Sequence, residues 1–137
     1  MKAFLSATGL FQEIGLTFVR IIVGLFLVYH GWEIFDATKI EEYAKWDAFK
    51  KFSSPLTMVY FGKGSELVAG ILLTLGLITR FACLITAGTM LYITFFIGNG
   101  RIWYEEQHPF LFVLLALVFI FTGGGKYSLD AKLFSNR

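Results

Sequence analysis

Only one cysteine, two prolines and two histidines occur among 137 residues. The lone Cys83 excludes an intrachain disulfide, a Cys-x-x-Cys redox pair and a cysteine metal cluster. It lies in an apolar stretch, where a buried inert thiol is expected. Charge is scarce too. Asp, Glu, Lys and Arg make up 16% of the chain, too little to cover the outside of a soluble domain this short. Lys plus Arg exceeds Asp plus Glu by only two, so the basic footprint of a nucleic-acid binder is absent. No Gly-x-Gly-x-x-Gly, P-loop or serine nucleophile elbow is present. No cleavable leader is expected, because Lys2 is the only early charge and the first long apolar segment carries Arg20.

What is there is apolar. Hydrophobic residues make up 56% of the chain, with sixteen phenylalanines, and this excludes disorder and collagen. The remaining class is an integral membrane protein of one domain, 1–137. Four continuously apolar segments, at about 14–32, 55–78, 81–97 and 109–122, read as helices. The first three suffice for a bilayer. The fourth is short unless it starts near Ile102. Ser53 or Ser54 is expected to cap the second helix ahead of Pro55, and Gly98-Asn99-Gly100 to stop the third. Pro109 opens the fourth and Gly123-Gly124-Gly125 stops it. Thr79-Arg80 reads as the tight turn between the second and third. The predicted fold is all-α: an up-down-up-down membrane bundle with interfacial segments in the first loop and at the C-terminus.

Orientation is nearly balanced. Lys2, Arg80, Lys126, Lys132 and Arg137 lie on the terminal side, against Lys39, Lys45, Lys50, Lys51 and Arg101 on the other. Arg80, in the shortest loop, tilts the expectation toward cytoplasmic termini. In the first loop Ile40, Tyr43, Trp46, Phe49 and Phe52 recur every three residues. Such a stripe winds around a single helix, so two short interfacial pieces are expected. They form either a membrane-surface cap or a lid over a site between the helices. Near the end of the chain, Ser128 is placed to cap a short surface helix.

Ionisable residues at membrane depth are costly, about 2.5–3.5 kcal/mol each at a helix centre. Arg20, His30, Lys63 and Glu66 stand there. Counting about 1.5 Å per residue puts His30, Lys63, Glu66 and Tyr92 in the half away from the termini, with Arg20 lower. Asn99, Glu105 and His108 fall at the rim. Lys63 and Glu66 share a helix face, and Gly70 follows Glu66 on it. These residues are the candidates for ligand binding or proton relay. The competing reading is an ion-pair network that fixes helix register. His30 and His108 lack a second pair, so no metal site is expected.

Three groups of residues carry a family resemblance: Arg20-x-x-x-Gly24-x-x-x-x-x-His30-Gly31, then Glu66-x-x-x-Gly70-x-x-x-x-x-Gly76-x-x-Thr79-Arg80, then Gly125-Lys-Tyr-Ser-Leu-Asp130. With them the chain resembles the DoxX family of small four-helix bacterial membrane proteins. That family is related to DoxD, the small subunit of thiosulfate:quinone oxidoreductase. The resemblance implies a bacterial inner-membrane location and, in some members, a link to quinone or thiol redox chemistry. It implies no single reaction, and it does not explain the long aromatic first loop.

Three functions compete at this level. The first is a quinone-associated subunit, with quinone as cofactor and a soluble redox protein as electron donor. The second is a non-enzymatic membrane anchor or assembly partner. The third is a small transporter or channel, as a homo-oligomer.

Overall fold

The computed structural model describes Met1 and residues 4–134. Lys2 and Arg137, counted above for orientation, lie outside the described residues. Among the described residues the chain is helical without strands. The elements are α1 (Gln12–Gly31), α2 (Ala37–Ala44), α3 (Asp47–Lys50), α4 (Pro55–Leu75), α5 (Thr79–Tyr92), α6 (Gln107–Thr122) and α7 (Leu129–Phe134). A 3₁₀ turn, Trp32–Phe35, extends α1, and a π-helical segment, Ile93–Ile97, extends α5. Three stretches are long and apolar enough to cross a membrane: Gln12–Phe35, Pro55–Leu75 and Thr79–Ile97. The 16 residues of α6 span about 24 Å, less than the ~30 Å of a hydrocarbon core.

Helix ends follow backbone chemistry more closely than hydropathy. The apolar run continues through Leu77 and Ile78, yet α4 stops at Leu75. Gly76 takes a left-handed conformation at φ 66°, which only glycine adopts without strain, and closes a Schellman-type end. Its N–H donates to Leu73 O, and the Leu77 N–H donates to Leu72 O. The turn is therefore 76–78, and Thr79-Arg80, expected as the turn, opens α5 instead. Ile78 enters α5 at φ 42°, strained for a β-branched residue, and Asp130 accepts hydrogen bonds from the Ile78 and Thr79 N–H groups. Ser54 precedes Pro55 as expected, but its hydroxyl bonds Thr57 Oγ1 and caps no backbone N–H. Helix α6 begins at Gln107, two residues before Pro109, and Gly123 ends it. Ser128 caps α7 by accepting the Ala131 N–H.

Helix α1 packs along α4, α4 against α5, and α5 against α6. Val23, Leu27, Leu73, Cys83, Phe112 and Phe119 share one buried core. The contact between α1 and α4 is backbone to backbone. A Cβ placed on Gly31 would fall 2.5 Å from Leu67 Cα, and one on Gly70 would fall 2.6 Å from Val28 N. Small residues permit such approach between membrane helices. Outward faces carry Phe26, Phe61, Leu84 and Phe121, as a lipid-facing surface requires.

The first loop forms two short helices, as the winding aromatic stripe implies. They do not stand off the molecule. Ile40 and Phe49 are buried with Val59 of α4, and Met58 and Ile97 pack against the same cluster.

Candidate functional site

Between α4, α5 and α6, beneath α2 and α3, lies a partly open cavity of about 490 Å³. His30, Lys63, Glu66, Tyr92 and His108 all line it, so five of the sequence candidates come together. The other walls are largely apolar, with Tyr43, Trp46 and Phe49 of the first loop roofing the cavity.

The polar end is built around Lys63. Its ammonium lies 2.9 Å from Glu33 Oε2 and 3.2 Å from Glu66 Oε2. Glu33 also accepts from Lys39 Nζ at 2.9 Å and from the Tyr43 hydroxyl at 2.9 Å. Lys63 further sits over the Tyr43 ring, 5.1 Å from its centroid. Glu66 is only 6% exposed. Burying such charges costs several kcal/mol per ion unless hydrogen bonds compensate, and here two carboxylates share one ammonium. Burial and the bond to Glu33 push the Tyr43 phenol above its ordinary value.

The cluster leaves polar atoms for a ligand. Among the described residues no hydrogen bond reaches Glu66 Oε1 or either imidazole nitrogen of His30. The His30 and His108 rings meet edge to face with centroids 5.9 Å apart. Tyr92 stacks on Phe96 at 5.1 Å. Ile93 and Ile97, at the ends of the π-helical segment, line the cavity beside it. Such segments often occur at functional sites. No group of three or more His, Cys, Asp or Glu able to hold a metal occurs among the described residues.

Three candidates lie elsewhere. Arg20 is 1% exposed and works at the far end of α4. Its guanidinium donates to Leu73 O, to Thr74 O at 3.0 Å and to Tyr127 O at 3.0 Å. The Leu73 and Thr74 carbonyls lie in the last turn of α4, the first shared with the Gly76 N–H, and Tyr127 lies in the chain that follows α6. Gly76 makes room for it, since a Cβ there would fall 2.8 Å from Arg20 Nη1. Glu105 is exposed and pairs with Arg101 at 3.4 Å. Asn99 does not line the cavity; its backbone N–H donates to Glu106.

Two acids that matter were not singled out from sequence. Glu33 follows His30 by three, a helical spacing that continues into the 3₁₀ turn. Glu106, not Glu105, is the buried rim carboxylate. It accepts the Asn99 N–H at 2.8 Å and the Arg101 N–H at 2.7 Å, and so closes the loop over residues 98–106.

The resembling residues thus fall into two structural groups. His30 and Glu66 face the cavity, whereas Arg20, Gly76, Thr79 and Asp130 tie α1, α4, α5 and α7 together. An uncharacterized protein of Haemophilus influenzae (strain ATCC 51907 / DSM 11121 / KW20 / Rd) is 33% identical over 126 residues, covering 87% of this chain and 90% of the relative. No solved structure matches. The DoxX family model matches residues 15–99, and the chain belongs to the DoxX family of membrane proteins.

Proposed function

We propose that the protein is a one-domain, up-down-up-down four-helix bundle of the bacterial inner membrane that binds a quinone-class ligand in the cavity and partners a soluble redox protein. One observation carries the reading: an apolar, aromatic-roofed cavity of about 490 Å³ ends on Lys63, Glu66 and His30, with Glu66 Oε1 and the His30 imidazole nitrogens free of hydrogen bonds among the described residues. Such a site suits a flat apolar ring with oxygen atoms on its edge. A quinone supplies two-electron, two-proton chemistry when bound. Lys63 and His30 would donate hydrogen bonds to carbonyl oxygens, and Glu66 Oε1 would accept from a hydroxyl. Tyr92 and Trp46 would flank the ring. No redox centre is supplied by this chain's own residues in the reading, so electrons come from the soluble partner.

The cytoplasmic assignment of the termini rests on Arg80, which stands in the first turn of α5 just after the tight 76–78 connection. A reporter fused after the last residue should be active only in the cytoplasm.

The binding test uses Trp46. In full-length W32F/W103F protein it is the only tryptophan. Titration with a short-chain benzoquinone should quench it saturably, and Glu66→Gln should weaken binding about tenfold, the worth of one hydrogen bond to a charged group. Linear quenching, identical in both proteins, would overturn the reading.

A second reading has its own support. The Lys63–Glu33–Glu66 network joins the end of α1 to α4, and Tyr43 and Lys39 bring in α2, all without a ligand. An assembly or anchoring protein needs nothing more. That reading gains if Lys63→Met with Glu66→Gln leaves both fold and cellular phenotype unchanged.

A further inference from the structure

A second concavity, of about 720 Å³, opens at the opposite end of the molecule, where the chain turns from α6 into α7 beside the start of α5. Arg80, Lys126, Thr79 and the three glycines 123–125 line it. Nothing in the ligand reading above uses it.

Its polar groups are those of an anion site. Arg80 spends only Nε, on Ile120 O, and its two terminal nitrogens have no partner among the described residues. Lys126 Nζ makes no hydrogen bond there and lies 5.0 Å from the Tyr127 ring centroid. The Gly124 and Gly125 N–H groups have no acceptor among the described residues. Thr79 adds a further, independent sign. It is fully buried, it lines the concavity, and its Oγ1 has no hydrogen-bond partner among the described residues. A Cβ on Gly124 would fall 2.7 Å from that oxygen, so glycine keeps the floor open. An orphaned buried hydroxyl costs about 1–3 kcal/mol unless something bonds it.

Two acids are near, and both are engaged. Asp130 accepts the Ile78 and Thr79 N–H groups at 2.6 and 2.8 Å. Glu13 Oε2 accepts the Lys126 N–H at 3.1 Å. The remaining side-chain charge turned to the concavity is basic.

We propose that this concavity binds a single phosphate group, held by the Arg80 and Lys126 side chains and the Gly124 and Gly125 N–H groups over the Thr79 hydroxyl. The phosphate belongs either to an anionic phospholipid headgroup or to free phosphate. Basic pockets at helix ends take headgroups in this way, and successive backbone N–H groups cradle anions.

The test is native mass spectrometry of the detergent-solubilised full chain with phosphatidylglycerol and with phosphatidylcholine, beside thermal unfolding in inorganic phosphate. Arg80→Gln/Lys126→Gln should lower phosphatidylglycerol retention about thirtyfold, and Lys126→Gln alone about fivefold. Lys126 is exposed and makes no side-chain hydrogen bond, so the single variant reports binding even if the Arg80 change disturbs folding. Lys50→Gln/Lys51→Gln removes the same charge from the first loop and should leave retention unchanged. If phosphatidylglycerol is not preferred but inorganic phosphate stabilises the wild type and not Lys126→Gln, the site stands and its ligand is the free anion. Equal losses in the two double variants, or no dependence of either probe on Lys126, would overturn the proposal.

Discussion

Alanine at Gly31 or Gly70 would be driven into the backbone of the facing helix. At Gly31 the new Cβ would fall 2.5 Å from Leu67 Cα, and at Gly70 2.6 Å from Val28 N and 2.8 Å from Gly24 O. Backbone cannot rotate away as a side chain can, so α1 and α4 must separate by roughly a carbon radius. Overpacking of this kind costs about 1–3 kcal/mol, a loss of about five- to 150-fold in the folding equilibrium. The polar end of the cavity would suffer as well, because Glu33 follows α1 while Lys63 and Glu66 ride on α4. The internal control is unusually clean. Gly62 and Gly88 lie on α4 and α5, and a Cβ on either would meet nothing within 4 Å. Alanine there should be neutral, or should stabilise by up to about 1 kcal/mol through helix propensity. The assay is unfolding of purified protein in mixed micelles of rising dodecyl sulfate fraction, followed by circular dichroism. Gly31→Ala and Gly70→Ala should unfold at clearly lower fractions than wild type, with Gly62→Ala and Gly88→Ala at or above it. If all four variants unfold together, α1 and α4 do not make this contact and the packing argument fails.

Other outcomes follow from single side chains. Arg20→Met should destabilise by about 3 kcal/mol or more, because three carbonyl oxygens lose a charged donor, and hydrogen exchange should quicken at the end of α4. Glu106→Ala frees the Asn99 and Arg101 N–H groups, so limited proteolysis should begin within residues 98–106 while the helices stay intact. Asp130→Ala should cost about 0.5–2 kcal/mol and raise exchange at the Ile78 and Thr79 amides. Folding holds the Tyr43 phenol neutral above its ordinary value of 10.0. Its contribution is therefore complete below about pH 10 and is lost as pH rises through the folded value. Absorbance titration at alkaline pH should show Tyr43→Phe lacking one late-ionising phenol.

The sequence reveals helices and charges more readily than directions. Long apolar segments placed α1, α4 and α5, because a spanning helix must be continuously apolar. The Lys63–Glu66 pair was visible because three residues along a helix is one face. Depth counting likewise grouped His30 and Tyr92 with that pair. The end of α4 was missed because hydropathy does not register the left-handed turn at Gly76. Glu105 and Glu106 are chemically identical, and only the fold of the turn selects the second. Arg20 drew attention as a charge at membrane depth, but carbonyls at the end of α4 can satisfy a guanidinium as well as a carboxylate can. The π-helical segment at residues 93–97 has no sequence mark, since it depends on backbone pairing alone.

A specific apolar ligand held by the polar end of the cavity should survive gentle purification, and mass spectrometry of the apolar extract from wild-type protein, beside Glu66→Gln, reads it out. A quinone should copurify with the wild type and be lost from the variant. Bulk phospholipid alone, identical in both, would contradict it and would leave Lys63, Glu33 and Glu66 as a brace between helices.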